Sequence, residues 1–229
     1  MTDIVCTIKK AFNNLIGTRF FVSEADFQHT LAMELEKSFI NNPNIRILLE
    51  FPIKCGNRKV HVDIMVYEGC NLYPIELKYK TCSISLDNPY ENTKIKIKDL
   101  LKKQGAQDLG GYDFWKDIHR IETLIKEGSA ISGVCIFLTN DPYYKEGKYK
   151  NGTQASNFRI GTGFMSKGKR SWQRNNKSIT PSYITKHPEF KIYNDYDFQW
   201  NEDFYQIKPE IKNGQFMSLF VEIPSKNKD

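Results

Sequence analysis

The sequence predicts an α/β domain built in the order helix, three strands, helix, strand, with a mixed central sheet flanked by helices. Three observations carry that order. Apolar residues recur at helical spacing over 23–39 and 113–127, they alternate with a period of two over 45–53, 59–67 and 72–79, and the run 131–138 is apolar on both faces. Helices interleaved with strands must bury their apolar stripes against the faces of the sheet.

Ile4, Val5, Ile8, Ala11, Phe12, Leu15 and Ile16 set the stripe of a first helix, which Gly17 closes. It carries packing residues only. Ser23 opens a second helix, with Asp26 as a short capping partner and Glu24 in the first turn, where the helix dipole favours acids. Phe27, Leu31, Leu35 and Phe39 form its buried stripe. The run IRILLEFPI (45–53) is a first strand, and a tight Gly56-Asn57 turn leads from it into a hairpin. Glu50, an acid among apolar neighbours there, is expected to pair with Lys54 or Arg58 in preference to assisting a metal.

In the hairpin, Val60, Val62, Ile64 and Val66 take one face and His61, Asp63 and Met65 the other. Past a turn at Glu68-Gly69-Cys70-Asn71, Ile75, Leu77 and Tyr79 face one side and Glu76 and Lys78 the other. Residues 81–92 then read as loop, and Lys94, Lys96, Lys98, Lys102 and Lys103 as a solvated face or a track for phosphates. Gly110-Gly111 are expected to interrupt any helix ahead of 113–127, where Phe114, Ile118, Ile121, Leu124 and Ile125 point to the core and Gly128 ends the element. ISGVCIFL (131–138) has the look of a strand buried on both faces, and Gln215–Ile223 closes the fold.

With 229 residues, the chain is expected to form one domain over 1–229, with its core over 20–140, a basic extension over 141–191 and a closing strand over 215–223. Hydrophobic residues make up 40% and charged residues 26%, which excludes a disordered chain. The formal charge of +6 permits a polyanionic partner. Five cysteines without ligand spacing argue against a zinc site or a disulfide framework, and reduced thiols point to the cytoplasm. No signal-like amino terminus and no membrane-length apolar run is present, so no membrane is expected.

An Asp, a Glu and a Lys brought together by a short hairpin in apolar surroundings are costly, because desolvated charges need partners. One economical reason to assemble Asp63, Glu76 and Lys78 is a metal ion, since two hard carboxylates suit Mg²⁺ shared with substrate phosphate oxygens. The alternative is that all three are solvated positions on an ordinary hairpin. Val62-Asp63, twelve intervening residues and Glu76-Leu77-Lys78 resemble the signature of the PD-(D/E)XK nuclease superfamily, with Val62 where the leading Pro commonly varies.

That resemblance implies a restriction-endonuclease-like αβββαβ core and a Mg²⁺-dependent nuclease, with Mn²⁺ able to substitute. Asp63, Glu76 and Lys78 would be catalytic, and Asp63, Glu76 and the Leu77 carbonyl would hold the metal. The helix ahead of the hairpin often supplies a further acid in this superfamily; Glu24 fits, with Gln28 one turn on and Glu34 as the competing choice. Gln104, Gln107 and Tyr112 resemble the glutamine-and-tyrosine helix of several branches, which contacts substrate. Many members dimerise to cut both strands, so the assembly implied is a homodimer, although no dimer motif is visible.

Over 143–191 eleven Lys or Arg face two Glu, a local charge of +9, with aromatics interleaved. Such a stretch suits sequence-independent attraction to nucleic acid, with DNA as the expected partner and Lys167, Lys169, Arg170 and Arg174 as the contact residues.

Overall fold

The computed structural model describes residues 3–87, 96–147, 153–173 and 181–226. Two helices, α1 (Ile4–Asn13) and α2 (Glu24–Ser38), precede three consecutive strands, β1 (Ile45–Cys55), β2 (Arg58–Glu68) and β3 (Asn71–Lys80). A small ladder of β4 (Ile84–Asp87) and β5 (Lys96–Leu101) then stands where loop and a lysine-rich face are expected. Helix α3 (Gln107–Lys126) and strand β6 (Gly133–Thr139) follow.

The remainder is a series of short pieces: α4 (Pro142–Glu146), a 3₁₀ turn at Ser156–Phe158, β7 (Gly163–Met165), β8 (Gly168–Arg170), α5 (Pro181–Lys186), β9 (Phe190–Ile192) and β10 (Tyr196–Phe198). The longer strands β11 (Trp200–Gln206) and β12 (Gln215–Ile223) come last. The central sheet has six strands in the order β1-β2-β3-β6-β12-β11. It is mixed: β3 and β6 are parallel and the other neighbours antiparallel. No helix among the described residues is long and apolar enough to cross a membrane.

Alternation along β3 decides which face receives chemistry. Ile75, Leu77 and Tyr79 join Phe12, Phe27, Leu31 and Leu35 in the core beneath α1 and α2. Glu76 and Lys78 therefore face the opposite side, where α3 packs through Phe114, Ile118, Ile121 and Leu124 against Cys135, Phe137, Leu219 and Val221. Helix α3 lies close to the sheet because Gly133 leaves room. A Cβ there would sit 2.6 Å from Ile121 Cγ2 and 2.8 Å from the Pro74 carbonyl oxygen.

The expected break at Gly110-Gly111 is absent, and α3 runs unbroken through both. Gly110 is needed for contact: a Cβ would lie 2.3 Å from the Oη of the buried Tyr144.

The β1–β2 hairpin also departs from strict alternation. Ile45 and Ile47 on β1 and Ile64 and Val66 on β2 belong to the α1/α2 side, yet Phe51, Ile53 and Val62 pack on the α3 side. The switch falls at Glu50, whose φ of 49° is left-handed, and at Asp63 opposite it, the one position skipped between Leu49↔Ile64 and Phe51↔Val62. Val62 therefore does not share a face with Ile64. The bend turns the hairpin tip over α3, where the Gly56 N–H donates to the Glu127 carboxylate at 3.1 Å.

Candidate active site

Asp63 lies at the bend, where β2 leaves β3. The β2–β3 ladder ends at Ile64↔Ile75, so beyond Ile75 the edge of β3 that faces β2 has no strand partner. Side chains take over. Asp63 Oδ2 accepts the Leu77 N–H at 2.6 Å, and Glu24 Oε2, from the first turn of α2, accepts the Tyr79 N–H at 2.7 Å. Gln28, one turn along α2, donates to the Asp63 carbonyl at 2.7 Å and to Glu50 Oε1 at 2.8 Å. The expected partners of Glu50, Lys54 and Arg58, are thus replaced by Gln28. Glu34, the competing acid, instead holds Asn14 and Lys37.

Because the N–H and C=O of one strand residue point the same way, the Leu77 carbonyl faces the same gap. Lys78 Nζ donates to that oxygen at 3.2 Å. Glu76 and Lys78 meet two partners that no motif in the sequence marks. Helix α3 presents Asp117, whose Oδ2 is 2.8 Å from Lys78 Nζ, and Arg120, whose Nη1 donates to Glu76 Oε1 at 2.5 Å. Arg120 Nη2 stands 3.5 Å from Asp117 Oδ1. Glu76 and Asp117 are 2% and 3% exposed, so both ion pairs are shielded from water. The available signal was Asp113, Asp117 and Arg120 at helical spacing beside the apolar stripe of α3.

Burial governs the electrostatics. It lifts the Asp63 carboxyl from its ordinary 3.8 to about 6, against the opposing Leu77 hydrogen bond and the Lys78 charge. It also raises Glu76, reinforced by Asp117, while Arg120 pulls the other way. A permanently protonated guanidinium at 2.5 Å makes the ionised carboxylate the form that completes this pair. Lys78 and Arg120 would each lose basicity through burial alone, but the surrounding acids, Asp117 first for Lys78 and Glu76 first for Arg120, raise both.

Glu24, Asp63, Glu76 and Asp117 thus gather around Lys78 and Arg120, with Asp113 also near Lys78, so acids outnumber bases around these two cations. Among the described residues no three His, Cys, Asp or Glu groups form a metal cage. Mg²⁺ does not require one, since it commonly takes one or two carboxylates and keeps its waters. Asp63, Glu76 and the Leu77 carbonyl are hard oxygen donors of the right kind, and the excess of acids favours a cation.

The residues expected to contact nucleic acid are placed differently. Tyr112 is fully buried, donates its hydroxyl hydrogen to the Pro188 carbonyl at 3.0 Å, and packs edge-on against Phe158 and stacked on Trp172. It is a core residue. Gln107 is held by Asp141 Oδ2 at 2.6 Å, and Gln104 precedes α3 with an exposed side chain, so the three form no common surface. Arg170 is 9% exposed, lies 4.3 Å over the Trp115 ring of α3 and donates to the Ser166 carbonyl at 2.7 Å, which fixes it between the extension and α3. Lys167 and Lys169 are exposed, the latter paired with Glu189 at 2.5 Å. Arg174 lies outside the described residues.

Compared with known proteins, this chain is matched by no protein-family model, no curated protein and no solved structure.

Proposed function

We propose that this protein is a metal-dependent nuclease of PD-(D/E)XK type, with a restriction-endonuclease-like core, and that it hydrolyses phosphodiester bonds in DNA. One observation carries the reading. Asp63 reaches across the opened β2–β3 edge to the Leu77 N–H, which sets its carboxylate beside the Leu77 carbonyl and the flanking Glu76 and Lys78.

A bound Mg²⁺ would supply Lewis-acid stabilisation of the phosphate and a water of lowered pKa. The protein's own groups do the rest. Asp63 and Glu76 would hold the ion with the Leu77 carbonyl, and Glu24 keeps the β3 edge in place through Tyr79. Lys78, kept protonated by its acidic neighbours, offsets negative charge that builds up on phosphorus. The basic extension, Lys167 and Lys169 included, contributes attraction to the phosphate backbone.

The test is cleavage of plasmid and single-stranded DNA with Mg²⁺, Mn²⁺ or EDTA. Native protein should cut only with metal, and Asp63→Ala and Lys78→Ala should each lose the activity. A second reading, a binding module on the same fold, is favoured by the internal pairing of Glu76 with Arg120 and Lys78 with Asp117. DNA binding that survives both substitutions, with no cutting under any condition, would establish the module and reject the enzyme.

A further inference from the structure

We propose that Arg120 is a resting counter-ion for Glu76 that an incoming divalent cation displaces onto Asp117. This rests on the metal-site reading above and assigns α3 a positioning role within it. Arg120 holds Glu76 Oε1 at 2.5 Å, one of the two oxygens through which this carboxylate could reach an ion, and its positive charge opposes a second cation there. Its other terminal nitrogen is already 3.5 Å from Asp117 Oδ1, so a small rotation of the guanidinium exchanges one carboxylate for another. Asp117 can receive it: Oδ1 faces Arg120, while Lys78 is held by the other oxygen, Oδ2, at 2.8 Å.

The charges explain why a substitute is required. Glu76 is 2% exposed beside Asp117 and Asp63, and without a cation its ionised form would be buried among like charges. Arg120 supplies one positive charge in the absence of metal, and a dication supplies two. Once on Asp117, Arg120 would share that carboxylate with Lys78, each cation on its own oxygen.

The experiment measures Mn²⁺ affinity by calorimetry and by the electron paramagnetic resonance of free Mn²⁺, for native protein, Arg120→Met, Arg120→Lys and each in a Glu76→Gln background. Removing the competitor should tighten Mn²⁺ binding by about tenfold or more, the scale on which neighbours of metal ligands act. Arg120→Lys, which keeps the charge but loses the fork, should fall between. Glu76→Gln should erase the differences, a dependence that mere structural damage would not show. Arg120→Met should also gain more melting temperature from Mn²⁺ than the native chain.

Native binding with an unchanged or weakened Arg120→Met overturns the proposal and leaves the metal site standing. No Mn²⁺ binding in any variant overturns both. Should Arg120→Met fold only with Mn²⁺, the proposal is supported. Should it not fold at all, Arg120→Lys decides, tighter binding for and equal binding against.

Discussion

Asp63→Asn should make this protein more stable at neutral pH and should abolish one segment of its pH dependence. Burial raises the Asp63 carboxyl to about 6 in the folded chain, against 3.8 ordinarily, so the native state holds an extra proton between those values. Stability from that proton is fully present below about pH 4 and is lost as pH rises through about 6. At about 1.4 kcal/mol per tenfold, the displacement corresponds to about 3 kcal/mol, an upper figure because the side chain is only part-buried. The amide removes the charge while its oxygen can still accept the Leu77 N–H. For a chain of this length, 3 kcal/mol corresponds to about 6–12 °C in Tm.

The assay is denaturant unfolding of both proteins from pH 4 to pH 8 without divalent ions. The curves should meet near pH 4 and separate through pH 6, with the variant above. Parallel curves, or a variant that is less stable at pH 8, would refute the account of Asp63 as a charge held at a cost. Such a cost is expected where a site is assembled for a ligand rather than for the fold.

Gly133→Ala should destabilise by about 1–3 kcal/mol in urea, since its methyl group would collide with Ile121 and the Pro74 carbonyl beneath α3. Glu122→Ala should cost about 3 kcal/mol or more by the same measurement: its carboxylate accepts from the Tyr193 and Asn194 N–H groups, the Asn194 amide and the Tyr196 hydroxyl, all at 2.8–2.9 Å. Tyr112→Ala should lower stability by about 3–5 kcal/mol, as a buried aromatic does, whereas Tyr112→Phe should leave DNA affinity unchanged, because the ring lies in the core. A fall in affinity for folded Tyr112→Phe would return that residue to the substrate surface.

Much of the central architecture is legible in the sequence because it follows local rules. Two-residue turns at Gly56-Asn57 and Gly69-Cys70 join strands whose period of two puts Glu76 and Lys78 on one face, and Ser23 caps α2 so that Glu24 falls in its first turn. The last strand spans Gln215–Ile223, as its apolar run suggests.

What escapes is set by tertiary contact. A glutamate at φ 49° has no sequence signature, so the bend at Glu50 and the transfer of Val62 to the α3 face are invisible beforehand. Asp117 and Arg120 look like an exposed helical face until α3 is laid across β3. The superfamily resemblance suggests Tyr112 as a substrate contact and the basic stretch suggests Arg170, but the extension packs on α3 in an aromatic cluster that absorbs both. The glycines at 110 and 111 read as breakers, whereas one of them makes room for Tyr144 inside a continuous helix.

The most direct test is a crystal of the native protein soaked in Mn²⁺ and measured for anomalous scattering. A peak is expected between the Asp63 and Glu76 carboxylates and the Leu77 carbonyl, at oxygen distances of about 2.0–2.3 Å, with Arg120 moved off Glu76. Millimolar Mn²⁺ that leaves no peak there, with Glu76 still on Arg120, would contradict the proposed metal site.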